Sequence, residues 1–156
     1  WQICNGYGPS PSVAPRRFAV SIEGSDDGRT WSAIAPRFSP LEPYAAPPWP
    51  GLHLPRVDWK LDDVAQRFEP GVPPDTWFAL MLTRLLEGSA AVRALFADGP
   101  FDQAPPRALR VLVHELSPAD GDERAHNGMW WYRAPGAVLG VPMMLDERGR
   151  LTPASF

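Results

Sequence analysis

Apolar and polar residues alternate most regularly near the start of the chain. Three large apolar residues point to one side and three smaller or polar residues to the other: Phe18, Val20 and Ile22 against Ala19, Ser21 and Glu23. This period of two predicts a half-buried β-strand whose second face meets water. Thr30 and Trp31 resume the strand pattern, so the stretch from Phe18 to Trp31 predicts a β-hairpin.

The connection of this hairpin is made of small, polar residues: Glu23, Gly24, Ser25, Asp26, Asp27 and Gly28. An Asp-Gly pair tolerates positive φ in a tight reversal, which places the turn at Asp27 and Gly28. Asp26 and Asp27 are also candidate metal ligands. Because no further acidic residues cluster near them in the sequence, the turn is the favoured interpretation.

The chain after the hairpin divides into an edge strand and a proline-rich segment. Residues Trp31 to Phe38 predict a second strand, and Pro36 places it at a sheet edge or ends it early. Residues 39–55 are rich in proline and aromatic side chains. They predict either a strap packed over the sheet or a recognition segment anchored on a partner by Trp49.

Residues 56–98 predict a helical insert. Val57, Leu61, Val64, Ala65 and Phe68 recur at helical spacing, with Asp58 placed as an N-terminal cap. A second helix runs from Thr76 to Glu87, between a cap at Asp75 and a stop at Gly88. It is predicted to be largely buried, with a narrow polar stripe of Thr76, Thr83 and Glu87. Ser89 begins a short third helix that Gly99 can close.

The second half of the chain returns to the strand pattern. Residues Arg107 to Leu116 predict the central strand, with Leu109, Val111 and Val113 on one face. Residues 117–128 predict a turn, Met129 to Arg133 a last strand, and 136–156 an irregular tail with a turn at Asp146 to Gly149. The order of strands, helices and strands predicts one α+β domain over residues 1–156, an antiparallel sheet or sandwich-like core with two to three inserted helices.

Composition narrows the classes of function. The 156 residues fit one domain, and 20 prolines imply long non-helical connections. The net charge of −3, without a run of lysines or arginines, argues against a nucleic-acid partner. Cys4 is the only cysteine, which excludes an internal disulfide. Since no apolar run approaches the roughly 18 residues of a membrane helix, and the chain begins at Trp1, we expect a soluble fragment of a longer protein.

No constellation of residues in the sequence predicts catalysis or a cofactor. His53, His114 and His126 lie in separate segments, so we expect no metal site. Neither a Gly-x-Ser-x-Gly elbow nor a phosphate-binding loop is present. The 7 tryptophans are more informative, because tryptophan and arginine are favoured interface anchors. We expect core positions for Trp31, Trp59 and Trp77, and interface positions for Trp49, Trp130 and Trp131.

Several blocks, taken in order, resemble the lipase maturation factor family, in the region after its membrane helices. They run from Asn5-Gly6-Tyr7-Gly8, through the hairpin with Trp31, to Pro55-Arg56-Val57-Asp58-Trp59, Trp77-Phe78, Arg84-Leu85-Leu86-Glu87-Gly88-Ser89, Pro105-Pro106-Arg107 and Trp130-Trp131. The resemblance covers residues 5 to 142. Two stretches depart from the family pattern: Leu52-His53-Leu54, and Leu61 to Val64 after the Asp-Trp pair.

The resemblance implies a non-catalytic, extramembrane interaction domain of a membrane protein that assists the folding or assembly of secreted lipases or other clients. It implies tethering to a membrane on the extracytoplasmic or lumenal side, and no cofactor. The candidate partner-binding residues are Trp49, His53, Arg56, Trp130 and Trp131. Two other functions remain open: the soluble part of a membrane enzyme with its catalytic residues elsewhere, and a discoidin-like carbohydrate- or lipid-binding domain, which has a similar Gly-Ser-Asp-Asp-Gly turn.

Two alternative roles are open for Arg56 and Asp58. In the first, Asp58 caps the helix and Arg56 pairs with a carboxylate of the sheet such as Glu23. In the second, Arg56 faces outward and contacts the client. The first predicts that either residue is needed for stability, and the second that it is needed only for binding.

Overall fold

The elements follow the predicted order of strands, helices and strands. The computed structural model describes residues 16–39, 41–46, 49, 55–67 and 75–156. Within them the elements are β1 Arg17–Ser25, β2 Ser32–Ile34, α1 Arg56–Gln66, α2 Thr76–Leu86, α3 Ala90–Arg93, β3 Ala108–Pro118, α4 Gly121–Asn127, β4 Trp131–Arg133, β5 Ala137–Val138, β6 Met143–Leu145 and β7 Leu151–Pro153. The α+β class with three helices between two groups of strands is confirmed.

One open antiparallel sheet contains all seven strands. Its order is β2-β1-β3-β6-β7, and β4 and β5 also pair with β3. The longest ladder joins β1 to β3, from Arg17 opposite Leu116 to Ser25 opposite Ala108. Because β1, β4, β5 and β6 all pair with it, β3 is the central strand that the alternating sequence predicted.

The main core lies between one face of this sheet and the helices. Alternate residues of β1 and β3 supply one side, among them Ile22, Leu109 and Val111, while α1 and α2 supply the other: Leu61, Ala65, Phe78, Met81, Leu82, Leu85 and Leu86. Phe78 has no exposed surface and Ile22 is 1% exposed. The apolar faces of two amphipathic helices therefore cover the apolar face of the sheet.

The second face of the sheet is also buried, which the sequence did not predict for β1. Ala19 and Ser21, expected to meet water, are buried, as are His114 and Leu116 of β3. Leu41, from the start of the proline-rich segment, packs against Ala19 and Leu116. The expectation was wrong because a segment remote in sequence covers this face.

The β1–β2 hairpin is confirmed and Gly28 lies in its turn as predicted, but the second strand begins at Ser32 and not at Thr30. Gly28 has φ +70°, a left-handed conformation that glycine adopts at little cost. The Asp27 carboxylate accepts hydrogen bonds from the backbone amides of Arg29 and Thr30, both at 2.8 Å. These bonds favour the charged carboxylate and lower the pKa of Asp27 to about 2. Asp26 accepts from the amide of Arg107, which fastens the hairpin to the start of β3.

Within residues 117–128, where the sequence predicts a turn, residues 121–127 form a helix. The helix is α4, and Asp120 caps it by accepting a hydrogen bond from the amide of Glu123 at 2.7 Å. Gly128, with φ +67°, ends it. Although the segment is polar, it contains a sequence pattern that starts helices: an acidic cap followed three residues later by glutamate.

The predicted irregular tail is likewise corrected. Residues 136–156 contribute β5, β6 and β7, so β4 is not the last strand. The turn at Asp146 to Gly149 is confirmed, and it joins β6 to β7 as a hairpin. Strands of two or three residues carry too little alternation to be predicted, and here pairing defines them: β5 and β6 pair with β3, and β7 pairs with β6.

The proline-rich segment is described only in part. Trp49 is 83% exposed and Tyr44 65% exposed. His53, Cys4 and Phe68 lie outside the described residues, so the predictions made for them stay predictions. β2 ends at Ile34, before Pro36, and lies at the edge of the sheet, as the proline predicted.

Candidate binding groove beside the helices

An open groove of about 570 Å³ lies where α1 faces α2 and the segment after α3. Its lining is mainly apolar with three cationic side chains: Pro55, Arg56, Val57, Lys60, Trp77, Leu80, Met81, Arg84, Val92 and Leu95. Leu80 is 57% exposed and Leu95 43% exposed. A concave, apolar surface left open to solvent is typical of a binding site.

The position of Leu80 on α2 explains why the groove is apolar. Thr76, Leu80, Thr83 and Glu87 follow each other at helical spacing, so they share the face of α2 that points away from the core. Phe78, Met81 and Leu85 occupy the other face and are buried. Leu80 is thus an apolar residue in the polar stripe of the helix, and Trp77 beside it is half-buried.

The charged side chains that line the groove are all cationic. Arg56, Lys60 and Arg84 belong to the lining, and among the described lining residues none is Asp or Glu. Arg84 pairs with Glu87 at 2.7 Å, and Lys60 lies 3.9 Å from Asp63. The Lys60 ammonium also lies over the rings of Trp59, at 5.2 Å, and Trp77, at 5.8 Å. The groove therefore combines apolar surface with positive charge.

Arg56 does not take the structural role considered for it. Its predicted pairing with Glu23 is wrong, because Glu23 accepts from Arg110 at 2.6 Å. The Arg110 guanidinium in turn stacks 4.5 Å from the centre of the Trp31 ring. Arg56 is exposed, and the part of the chain that the structure describes offers it no ion pair. It projects instead from the first turn of α1 beside the groove.

Asp58 does not cap α1, which corrects the prediction. It is the third residue of the helix, and Pro55 occupies the capping position. The Asp58 carboxylate is buried and accepts a hydrogen bond from the amide of Phe38 at 2.9 Å, so it fastens α1 to the segment after β2. Its other oxygen, Oδ2, is buried without a partner in the described structure. Burial raises the pKa of Asp58, against the opposing effects of that hydrogen bond and of Arg37.

The hydrogen bond to the Asp58 carboxylate predicts a difference in stability between two variants. Asp58→Asn keeps an oxygen to accept from Phe38 and removes the buried charge, whereas Asp58→Ala orphans the Phe38 amide. We expect Asp58→Ala to be less stable than Asp58→Asn at pH 7 by about 1 to 2 kcal/mol. Urea denaturation of both variants measures the difference, and equal stabilities would contradict the assignment.

The pH dependence follows from the direction of the pKa shift. A raised pKa in the folded state means that folding favours the protonated carboxyl. The stabilisation from Asp58 is therefore present below the unfolded pKa of about 3.9 and is lost as the pH rises through the folded pKa. Asp62, whose pKa burial also raises, contributes in the same direction. Both variants remove this titrating group, so their free energy of unfolding should depend less on pH. It should be lower in Asp58→Ala than in Asp58→Asn.

The other tryptophans are dispersed over the molecule. Trp130 packs beneath Arg124, at 4.5 Å, and Trp131 beneath Arg17, at 5.8 Å; both are half-buried. Their backbone amides donate to the carbonyl of Pro43, so they hold the proline-rich segment. Neither they nor Trp49 line the groove. Trp59, expected in the core, is 37% exposed, because it lies on the outer side of α1.

A buried serine and histidine form the arrangement closest to a catalytic pair. His114 Nδ1 lies 3.1 Å from the carbonyl of Ala134, which can only accept, so Nδ1 carries the hydrogen. With a neutral ring, Nε2 then accepts from the Ser21 hydroxyl at 2.9 Å. Both residues are buried, and a Cβ added to Gly136 would approach the His114 ring to 2.6 Å. The pair joins β1 to β3 with no room above the ring for a substrate.

A second cavity of about 400 Å³ lies beside α3 and the loop before β3. Its two arginines are already engaged within the protein. Arg37 donates to the carbonyl of Phe96 at 3.2 Å, and Arg93 pairs with Asp102 and the carbonyl of Ala97. Within the ranges that the structure describes, no group of three His, Cys, Asp or Glu residues could hold a metal ion. The groove beside the helices is therefore the better candidate site.

The described residues form an α+β domain whose outer helical surface carries an open, mainly apolar groove with cationic side chains. A family model described as "Lipase maturation factor C-terminal domain" matches residues 3–139. The chain belongs to the lipase maturation factor family, and its matched part is the C-terminal domain. The resemblance read from the sequence blocks is confirmed.

Three mammalian relatives named Lipase maturation factor 2 show the extent of the similarity. The rat and mouse proteins are each 30% identical over 156 residues, and the human protein is 30% identical over 155. Each comparison covers 92% of this chain, but only 21% of the length of the relative. No solved structure matches the chain. Among the helices of the described residues, none has the length and apolar character needed to cross a bilayer.

Proposed function

We propose that this domain is a non-catalytic interaction domain through which a lipase maturation factor-like membrane protein assists the folding or assembly of a secreted lipase or another client. The observation that carries the proposal is the groove with its exposed Leu80 and Leu95 and its adjoining Arg56. Family membership supplies the class of client. The rest of the parent protein supplies the tether to the membrane, with the domain on the extracytoplasmic or lumenal side.

The residue types of the groove support binding to a protein. Tryptophan and arginine contribute most of the energy at many interfaces, because a rigid ring buries a large area and a guanidinium pairs with carboxylates. Trp77 and Arg56 lie on the same groove. The half-buried Trp77 offers its apolar surface, and the long side chain of Arg56 reaches charges on a bound chain.

The alternative functions have less support. A hydrolase site within the described residues would need a nucleophile within reach of its substrate, but Ser21 and its partner His114 are both buried. The hairpin that suggested a discoidin-like domain uses its aspartates within the protein, since Asp27 binds its own turn and Asp26 binds Arg107. We propose Trp49, His53, Trp130 and Trp131 as further partner-contact residues; of these, the described Trp49, Trp130 and Trp131 are not part of the groove lining.

A charged substitution in the groove tests the proposal. The full-length protein carrying Leu80→Asp is co-expressed with a secreted lipase of the same organism, and the secreted lipase activity and the co-purified lipase are measured. We expect a loss of about 30-fold in binding, the effect of removing an interface anchor worth about 2 kcal/mol. The secreted activity should fall with it.

Val141→Asp is the matched control, because Val141 is 56% exposed, close to the 57% of Leu80, and is not part of the groove lining. It should leave lipase binding and secretion unchanged. Normal lipase maturation by a folded Leu80→Asp protein would contradict the proposal. So would an equal loss in both variants.

A further inference from the structure

The arrangement of charge in the groove indicates the chemistry of what binds there. Positive charge stands at three points of the lining: Arg56 and Lys60 on α1, and Arg84 on α2. Glu87, which pairs with Arg84, and Asp63, which pairs with Arg67 and lies 3.9 Å from Lys60, are both outside the lining. Arg56 alone of the three is given no carboxylate by the described residues. The groove thus combines exposed apolar side chains with cationic ones.

We infer that the groove receives an amphipathic helical segment of the client protein, whose apolar side chains contact Trp77, Leu80 and Leu95 and whose flanking Asp or Glu side chains face Arg56 and Lys60. This inference rests on the proposed function and specifies the chemistry of the client. An apolar stripe held in a groove between helices is a common way to recognise a helix. Carboxylates beside that stripe would give Arg56 the counter-charge that no described residue supplies.

The shape of the surface favours a protein segment over a lipid bilayer. A membrane surface accepts apolar side chains that protrude from a helix into the headgroup region. Here Leu80 and Leu95 border a concave space of about 570 Å³ between two helical segments. That volume lies in the range of pockets that take a few side chains, roughly 300 to 1,000 Å³. A flat bilayer cannot fill such a space, whereas the side chains of a helix can.

The experiment uses the full-length protein and two synthetic helical peptides with the same leucine pattern. One peptide carries glutamate beside the leucines and the other carries lysine at the same positions. Fluorescence anisotropy measures the binding of each. We expect the glutamate peptide to bind and the lysine peptide to bind at least about tenfold more weakly. We also expect Arg56→Glu to weaken the glutamate peptide by about three- to tenfold.

Arg148→Glu is the control for the change of charge, because Arg148 is exposed and is not part of the groove lining. It should leave the peptide affinity unchanged. Equal binding of both peptides, or no binding of the glutamate peptide, would overturn the inference. A similar loss in Arg148→Glu would overturn it as well, since net charge and not the groove would then be responsible.

Two further measurements address other occupants of the groove. Phosphatidylcholine vesicles with phosphatidylserine should not displace the glutamate peptide any more than vesicles without it; selective displacement would assign the groove to the membrane and overturn the inference. Self-association that Leu80→Asp abolishes would assign it to a second copy. If Leu80→Asp impairs lipase maturation while the glutamate peptide does not bind, the proposed function stands and only the inference about acidic segments fails.

Discussion

Replacing Phe78 by alanine is expected to lower the free energy of unfolding by about 3 to 5 kcal/mol. Phe78 has no exposed surface, and it belongs to the cluster that joins α2 to β1 and β3. Removing the ring takes away its burial energy and leaves a cavity that the two strands and α1 cannot close by small shifts. Chemical denaturation followed by circular dichroism measures the loss.

The control for Phe78→Ala lies two residues away on the same helix. Leu80→Ala removes a side chain that is 57% exposed, so the unfolding energy should change by no more than about 0.5 kcal/mol. The pair of variants separates the two sides of α2. A large loss of stability in Leu80→Ala would mean that Leu80 belongs to the core, and the groove would lose its exposed apolar wall.

Replacing Gly28 by valine is expected to lower the unfolding energy by about 1 to 3 kcal/mol. A β-branched residue resists the φ of +70° at this position. In addition, a Cβ at Gly28 would lie 2.4 Å from the ring of Phe156, which packs edge to face against Trp31. Thermal unfolding reports the combined cost of the backbone strain and the displaced ring.

Gly149→Val provides a comparison with the same backbone conformation. Gly149 also has φ +70°, but a Cβ there has no atom within 4 Å. It should therefore show only the backbone cost, and Gly28→Val should exceed it. Adding Phe156→Ala to both proteins should remove the excess. If the two glycine variants were equally stable, the contact with Phe156 would carry no energy.

The strands and helices that the sequence predicts best are those whose buried residues follow a regular local spacing. β1 and β3 were recognised because Val20, Ile22, Leu109 and Val111 alternate with other residues, and they meet in one ladder. The start and end of α2 followed from Asp75 and Gly88. Such signals are local, so they survive without knowledge of the tertiary structure.

The features that were missed depend on segments remote in sequence. The cover over Ala19 comes from Leu41, and the short β5 and β6 are defined as strands by their pairing with β3 and, for β6, also with β7. Asp58 was read as a cap because it stands near the start of α1, yet its partner Phe38 lies 20 residues earlier. No local pattern encodes that contact.

The groove itself was only partly predictable. Arg56 was named as a partner-binding candidate, but Lys60, Leu80, Arg84 and Leu95 were not. One signal was available: the predicted polar stripe of α2 contained Thr76, Thr83 and Glu87, and Leu80 falls between them at the same helical spacing. An apolar residue in an otherwise polar stripe predicts an exposed binding surface. The charges from α1 join it only through the packing of the two helices.

The pairing of β1 with β3 also determines how this domain must fold. Asp26 bonds to Arg107 across 81 positions, and Glu23 to Arg110 across 87. Closing a loop of that length costs about 4 kcal/mol of chain entropy before any contact is gained. Such long-range pairing is slow, and until β3 is synthesised, the edge of β1 and the apolar faces of α1 and α2 are open to aggregation. This domain of the lipase maturation factor family is therefore vulnerable during its own synthesis, and a chain cut before Ala108 loses the partner strand of its core.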